Sequence, residues 1–340
     1  DYLLPAFTVT WNLADNQRLR FGGSETIARP QFRELSPLQY TDPDNDRLYY
    51  GNPNLVDSKL RNFDLRYERY FAEGEYFTVG AFYKQLDKPI EATVNESGAV
   101  LFQRFFNAPR ATLTGLALHA RKYFPAPAAL SWLGDNRLYA AGNYTWSDSR
   151  VSAGADDTVQ PYGYPDPVPA LLFVQDGSRL QGQSDHIANV QLGIESVDAS
   201  LQATLVANFV SERILARGRP GQPDYLEKPG TTLDLVVRKS IMFGEQKGTF
   251  SLSARNLLDT RHREYQDGNG ARVPIYAYDH GISHSPGSSP NPREPKSPPA
   301  DAGGPESATT RWIRSGIRPR RRPRWSRGRG SWHHSTGRCA

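Results

Sequence analysis

Five stretches of this chain alternate apolar and polar residues with a period of two, and no other property narrows its possible folds so far. In the first, Phe7, Val9, Trp11 and Leu13 share one side while Thr8, Thr10 and Asn12 share the other. Between Asn62 and Phe71, Phe63, Leu65, Tyr67 and Phe71 lie opposite Asn62, Asp64, Arg66 and Glu68. Leu201, Ala203, Leu205, Ala207 and Phe209 oppose Gln202, Thr204 and Asn208; Leu233, Leu235 and Val237, then Phe250, Leu252 and Ala254, repeat the split. Successive side chains of a strand point to opposite faces, so this period means sheet with one apolar and one polar face.

The connections alternate in length. ADNQ, AEGE, VDAS and FGEQKG are short, whereas residues 29–57, 151–184 and 217–230 are long, polar and rich in Pro, Gly and Asp. Long excursions of that kind are uncommon in a compact soluble domain. Tight turns at one end and long loops at the other describe an all-β, antiparallel up-and-down meander. The pattern predicts about ten strands, most of about 10 to 18 residues, against the five or six usual in soluble proteins. A transmembrane barrel needs about 9 to 11 residues across the hydrocarbon and more where a strand projects beyond it. Aromatic residues near the short turns, Tyr67, Tyr70, Phe71, Tyr76, Phe77, Tyr123 and Phe124 among them, suit a membrane interface. Rings packing a soluble β core remain the other reading of the same residues.

Composition agrees with strands. Only 38% of residues are hydrophobic, yet 17 Tyr and 15 Phe supply bulk, and rings are favoured on pleated surfaces. The longest apolar run, Ala170 to Val174, is far short of a spanning helix. DYLLPAFTVTW contains no signal-peptide pattern, and the single cysteine, Cys339, cannot form an internal disulfide. The net charge of +5 is local: from His284 onward there are 12 Lys+Arg against 3 Asp+Glu, leaving 29 against 33 before it. A basic pI therefore speaks for the tail alone.

Four stretches carry a family resemblance. RFGGSETIARPQFREL (Arg20 to Leu35), GNPNL (Gly51 to Leu55), FYKQLDKPIE (Phe82 to Glu91) and SARNLLDT (Ser253 to Thr260) resemble, in order and spacing, the C-terminal half of a TonB-dependent outer-membrane receptor. The resemblance implies a fragment of a 22-stranded transmembrane β-barrel with a plugged lumen, located in the bacterial outer membrane. It implies import of a scarce bulky solute, such as an iron chelate, an oligosaccharide or a peptide. Energy would come from the TonB complex through a plug domain outside this sequence, and the other partners would be outer-membrane lipid and the nutrient ligand. No cofactor, catalytic residue or nucleic-acid partner is expected. A passive outer-membrane channel or structural barrel is the alternative.

Within that frame Thr249 to Gln266 reads as the penultimate strand, continuing past the outer leaflet. IYAYDHGIS (Ile275 to Ser283) reads as the start of a last strand that breaks off. The barrel part is thus expected over 1–283 and a disordered, non-native tail over 284–340. The Arg, Pro, Gly, Ser and Trp bias of the tail is what a shifted reading frame in GC-rich DNA yields; resequencing that finds no insertion or deletion near Ser283 would contradict this.

Ligand contacts in such a receptor fall on long loops, which nominates Arg29, Gln31, Arg33 and Glu34 in the first loop and Tyr162 and Tyr164 in a later one. Arg33 and Glu34 also have the chemistry to brace their own loop. Three other patterns read as a solvated loop, chance adjacency and low-complexity disorder in turn. DPDND (Asp42 to Asp46) lacks the glycine and glutamate of a calcium loop. Ser184, Asp185 and His186 are adjacent, and a triad must converge from separated positions. Arg320, Arg321, Arg322, Arg324, Arg327 and Arg329 with Trp325 and Trp332 suit nucleic acid electrostatically, but no nucleic-acid fold accompanies them.

Overall fold

The computed structural model describes residues 2–41, 47–97, 100–125, 136–196, 198, 200–243, 246–268 and 271–290. The acidic run Asp42 to Asp46 and the tail from residue 291, with its arginine and tryptophan cluster, lie outside the described residues. Eleven antiparallel strands form one sheet in which every neighbour is also the next strand of the sheet in sequence. They are β1 (Ala6–Ala14), β2 (Gln17–Ala28), β3 (Ser58–Ala72), β4 (Glu75–Asp87), β5 (Arg110–Phe124) and β6 (Arg137–Ser152). β7 (His186–Glu195), β8 (Leu201–Val210), β9 (Gly230–Phe243), β10 (Gln246–Arg255) and β11 (Ser283–Pro290) complete it. This is the up-and-down meander that the alternation predicts, with turns as short as two residues at one end and connections of 19 to 33 residues at the other. The sheet is open: β1 and β11 each pair on one side only among the described residues.

Solvent exposure identifies the outward face. Phe7, Val9, Trp11, Phe21, Phe63, Leu65, Leu116, Leu118, Leu192, Leu205, Phe250 and Leu252 are all exposed. Among the described residues no second layer covers them, so the sheet keeps its greasy residues on the surface rather than in a core. Register makes the face continuous: Phe21, Leu65, Ala81, Leu116 and Trp146 are successive cross-strand partners. The opposite face carries a polar row in the same register, Arg18, Glu68, Thr78, His119, Asn143, Asn189, Asn208 and Thr232. An apolar outside and a polar inside are the signature of a membrane barrel wall.

The buried core lies instead in the long connections and the strand ends beneath them. Phe106, Ala108, Ala111, Val151, Val159, Ala170, Phe173 and Val174 form one cluster, and Leu55, Ala92, Val94, Phe105, Ala216 and Tyr225 another. Two small sheets knit the connections together. One joins Gln39–Thr41, Leu48–Tyr50, Val100–Asn107 and Ile90–Ser97; the second joins Arg213–Ala216, Tyr225–Glu227, Arg261–Gly268 and Ala271–Asp279. Excursions that are long and polar in sequence are therefore folded units with side-chain cores of their own.

Two expectations about strand ends are corrected. Thr249 to Gln266 is not one strand: β10 stops at Arg255, and Asn256 and Asp259 take positive φ values of 55° and 51°. Asn and Asp tolerate that left-handed backbone better than other side chains. The Asn256 side chain holds the turn, donating to Thr260 O and Gly281 O at 3.2 Å and accepting from Thr260 N at 2.9 Å. The chain restarts at Arg261 in the second loop sheet. The last strand also does not begin at Ile275, which belongs to Ala271–Asp279 of that loop sheet. β11 instead runs from Ser283 to Pro290 against β10, so the sheet continues past the boundary expected at His284. Its two prolines are tolerated because a sheet edge needs fewer N–H donors.

Candidate ligand-binding face in the long loops

The motif GNPNL acts as a bolt between three loops. Asn52 is buried and donates from Nδ2 to Phe105 O at 2.9 Å and to Gln160 O at 2.7 Å. Its Oδ1 accepts from Asn54 N at 3.0 Å. Gly51 passes so close to Ser36 that an added Cβ would lie 2.2 Å from Ser36 O, so no other residue fits. Leu55 anchors the motif in the second core cluster. Asn107 completes the join, bonding both backbone groups of Val56 at 2.9 and 3.0 Å.

A second joint is ionic. Arg217 lies fully buried and binds the buried Glu91 through two hydrogen bonds, 2.7 Å from Nε and 2.9 Å from Nη2. Its Nη1 reaches Asp224 at 2.8 Å and Ser178 Oγ at 3.1 Å, and Nη2 also donates to Arg179 O at 2.7 Å. Burial would lower the guanidinium pKa, but Glu91 and Asp224 outweigh it and hold it above its ordinary range. A third joint links Arg47 to Glu264, with His262 Nε2 at 3.0 Å from the same carboxylate.

On this frame sits a cationic and aromatic patch. Leu48–Tyr50 pairs in parallel with Val100–Asn107, so Tyr50, Phe102 and Arg104 share one face of the ribbon. The Tyr50 ring stacks on Tyr162, centroids 6.1 Å apart and planes 16° apart, and meets Phe102 at 5.8 Å. Arg104 runs beside Gly163, where a Cβ would come within 3.3 Å of its Nη1 and where φ is +90°. Its buried Nε has no hydrogen-bond partner among the described residues. An arginine with an unused buried donor beside stacked rings can receive an anionic, flat-faced group.

The nominated residues divide. Gln31, Arg33 and Glu34 come together in one helical turn, Phe32–Leu35 and its cap. Gln31 N donates to Glu34 Oε2 and Arg33 Nε to Gln31 Oε1, both at 2.8 Å. Arg29, largely exposed, is 3.8 Å from Asp57. Tyr162 belongs to the patch with Arg104. Tyr164 packs edge-on against Phe173 at 5.7 Å, beside the first core cluster. Arg104, Tyr50 and Phe102 are not among the nominated residues; the signal for Arg104 and Phe102 is an arginine inside the aromatic ribbon LFQRFFN, and for Tyr50 the pair Tyr49-Tyr50. Ser184, Asp185 and His186 bond separately, to Ser211 O, Arg179 and Tyr144. Among the described residues no group of three or more His, Cys, Asp or Glu could hold a metal ion.

The family model for TonB dependent receptor-like β-barrels matches residues 1–257. No curated protein matches the chain. Among solved structures it is similar to a single-substitution mutant of the ferric enterobactin receptor of Pseudomonas aeruginosa, at 15% identity and a TM-score of 0.51, over 85% of this chain and 40% of that one. A double mutant of the same receptor matches at 14% identity and 0.50, over 84% and 39%. A siderophore receptor of that organism matches at 14% and 0.45, over 84% and 42%. Identities this low speak for fold alone, and the chain spans about 40% of the length of these receptors. Open meander, outward apolar face and a family match over most of the chain agree, and the chain belongs to the TonB-dependent receptor-like β-barrel family of outer-membrane proteins.

Proposed function

We propose that this chain supplies half of the wall, and the ligand-facing loops above it, of a receptor that imports a scarce bulky solute with TonB-delivered energy. A negatively charged iron chelate is the substrate class its chemistry favours over an oligosaccharide or a peptide. The observation that carries this is Arg104, whose buried Nε has no partner among the described residues, beside the stacked pair Tyr50 and Tyr162. Charge-assisted bonds from a guanidinium are about twice as strong as neutral ones, and flat ligand rings stack on tyrosine. The ligand named for the solved neighbours, ferric enterobactin, is consistent with that class. On its own the chain transports nothing, because the two open edges would leave backbone groups unpaired in lipid at several kcal/mol each.

Fluorescence titration with ferric enterobactin, against a neutral ferric hydroxamate, tests the substrate class. Arg104→Gln is expected to weaken the charged chelate by about tenfold or more and to leave the neutral one unchanged. Equal loss for both would contradict the reading. Uptake by the whole receptor in cells should stop when the inner-membrane proton gradient is dissipated; persistence would favour a passive channel.

A further inference from the structure

The turn that carries Tyr162 and Tyr164 is pinned at several points. Pro161 is fully buried, Asn52 Nδ2 holds Gln160 O at 2.7 Å, and Tyr164 N donates to Pro161 O at 3.2 Å. Residues 161–164 thus close a β-turn with Gly163 in third place. A φ of +90° at Gly163, without positive φ at Tyr162, matches the type II form, which needs glycine there. The flanking rings go to different partners: Tyr162 stacks on Tyr50 and Tyr164 packs against Phe173. Thr158–Val159 and Val168–Pro169 pair behind them.

Between the two tyrosines, Gly163 lies against Arg104. A Cβ built on it would stand 3.3, 3.6 and 3.9 Å from Nη1, Cζ and Nη2. Distances so similar place that point over the flat face of the guanidinium rather than beside its edge. The N–H groups of a guanidinium lie in its plane, so a bare glycine covers one face and leaves the hydrogen-bonding edge clear. A side chain at this position would come closer than ordinary van der Waals contact and push the plane away. Arg104 has little freedom to follow, because its Nε is buried and its backbone is fixed between Tyr50 and Thr93 in the ribbon. Charge-assisted bonds depend on the tilt of that plane, since hydrogen bonds weaken steeply once the donor angle falls below about 120°.

We infer that Gly163 determines the selectivity of the patch for anionic ligands: having no side chain, it sets the tilt of the Arg104 guanidinium and keeps the N–H edge aimed at the ligand. Tyr162 and Tyr164 then serve as the props that hold Gly163 in place. This rests on the reading of Arg104 as the anchor of a charged chelate.

Fluorescence titration of the full chain in detergent tests it, with ferric enterobactin and a neutral ferric hydroxamate as probes. Gly163→Asn supplies a residue that tolerates positive φ but adds the Cβ. It is expected to weaken the charged chelate by about tenfold and to leave the neutral one within about twofold. Gly177→Ala, at φ +75° with nothing within 4 Å, imposes backbone strain without a contact and should change neither. A readout without ligand is the exchange of the Arg104 Nε proton with water, followed by heteronuclear NMR and assigned by its loss in Arg104→Gln. Gly163→Asn should speed that exchange and Gly177→Ala should not. Unchanged affinity for ferric enterobactin in Gly163→Asn overturns the inference, and the chelate reading stands where Arg104→Gln still weakens that probe. If Arg104→Gln changes neither probe, the chelate reading fails and the inference falls with it. An equal loss of both probes in Gly163→Asn marks a purely structural glycine and also overturns it.

Discussion

Arg217 and Glu91, 126 positions apart in sequence, meet as a two-pronged ion pair with both side chains at 0% exposure. The pair ties the loop after β4 to the loop after β8, and the backbones bond beside it: Val94 N to Arg217 O at 2.9 Å and Arg217 N to Ala92 O at 2.8 Å. Removing one member strands a buried charge, which costs about 3 to 5 kcal/mol. Arg217→Met should therefore loosen residues 88–109 and 211–229 while the eleven-stranded sheet persists. Hydrogen exchange is expected to rise in those loops and at residues 178–181, which Arg217 and Glu91 also bond, and not in the sheet. Arg217→Met/Glu91→Leu should recover part of the protection, since the apolar pair removes the fully buried carboxylate and leaves only Asp224, which is partly exposed to water.

Asn52 yields a sharper contrast because its two acceptors are both carbonyl oxygens. Asn52→Ala forfeits both bonds at about 1 to 3 kcal/mol. Asn52→Asp keeps the shape but turns a carboxylate oxygen toward Phe105 O and Gln160 O, and is expected to cost more than alanine. Local exchange at residues 105–107 measures the order; aspartate tolerated as well as asparagine would contradict the assignment.

The tight turn between β7 and β8 has its own pH signature. Hydrogen bonds from the Ser196 hydroxyl and from Ser200 N hold Asp198 down from the ordinary 3.8 to about 2. A lowered carboxylate adds stability that is full above the unfolded value and is lost as pH falls through the folded one. The turn should thus be intact at pH 4 and weaken between 3.8 and about 2. A carboxyl carbon titration of Asp198 checks this, and Ser196→Ala should raise the midpoint. A midpoint at 3.8 in the unaltered chain would remove the turn bonds from the account.

The sheet was legible in the sequence because its cause is local. Phe63, Leu65 and Tyr67 alternate with Asp64, Arg66 and Glu68 wherever a strand has lipid on one side and polar groups on the other. The end of β10 was not legible, since Asn256 and Asp259 read equally as polar strand positions or as left-handed turn residues; only the distant acceptors Asp234 and Gly281 O decide. The loops were opaque for the same reason. Tyr162 and Tyr164 are two positions apart, yet one joins the Arg104 patch and the other a core made by Phe173. Arg104 was not legible because its place beside Tyr50, Tyr162 and Gly163 depends on neighbours the chain brings in from other loops.

Spin labels placed singly at positions 63, 64, 65 and 66, with Cys339 changed to serine, measure the two-sidedness of the wall in a lipid bilayer. The account predicts that labels at 63 and 65 collide with oxygen dissolved in acyl chains and are shielded from a water-soluble nickel chelate, while labels at 64 and 66 do the reverse. Labels at 63 and 65 shielded from both reagents, as beneath a second protein layer, would contradict it.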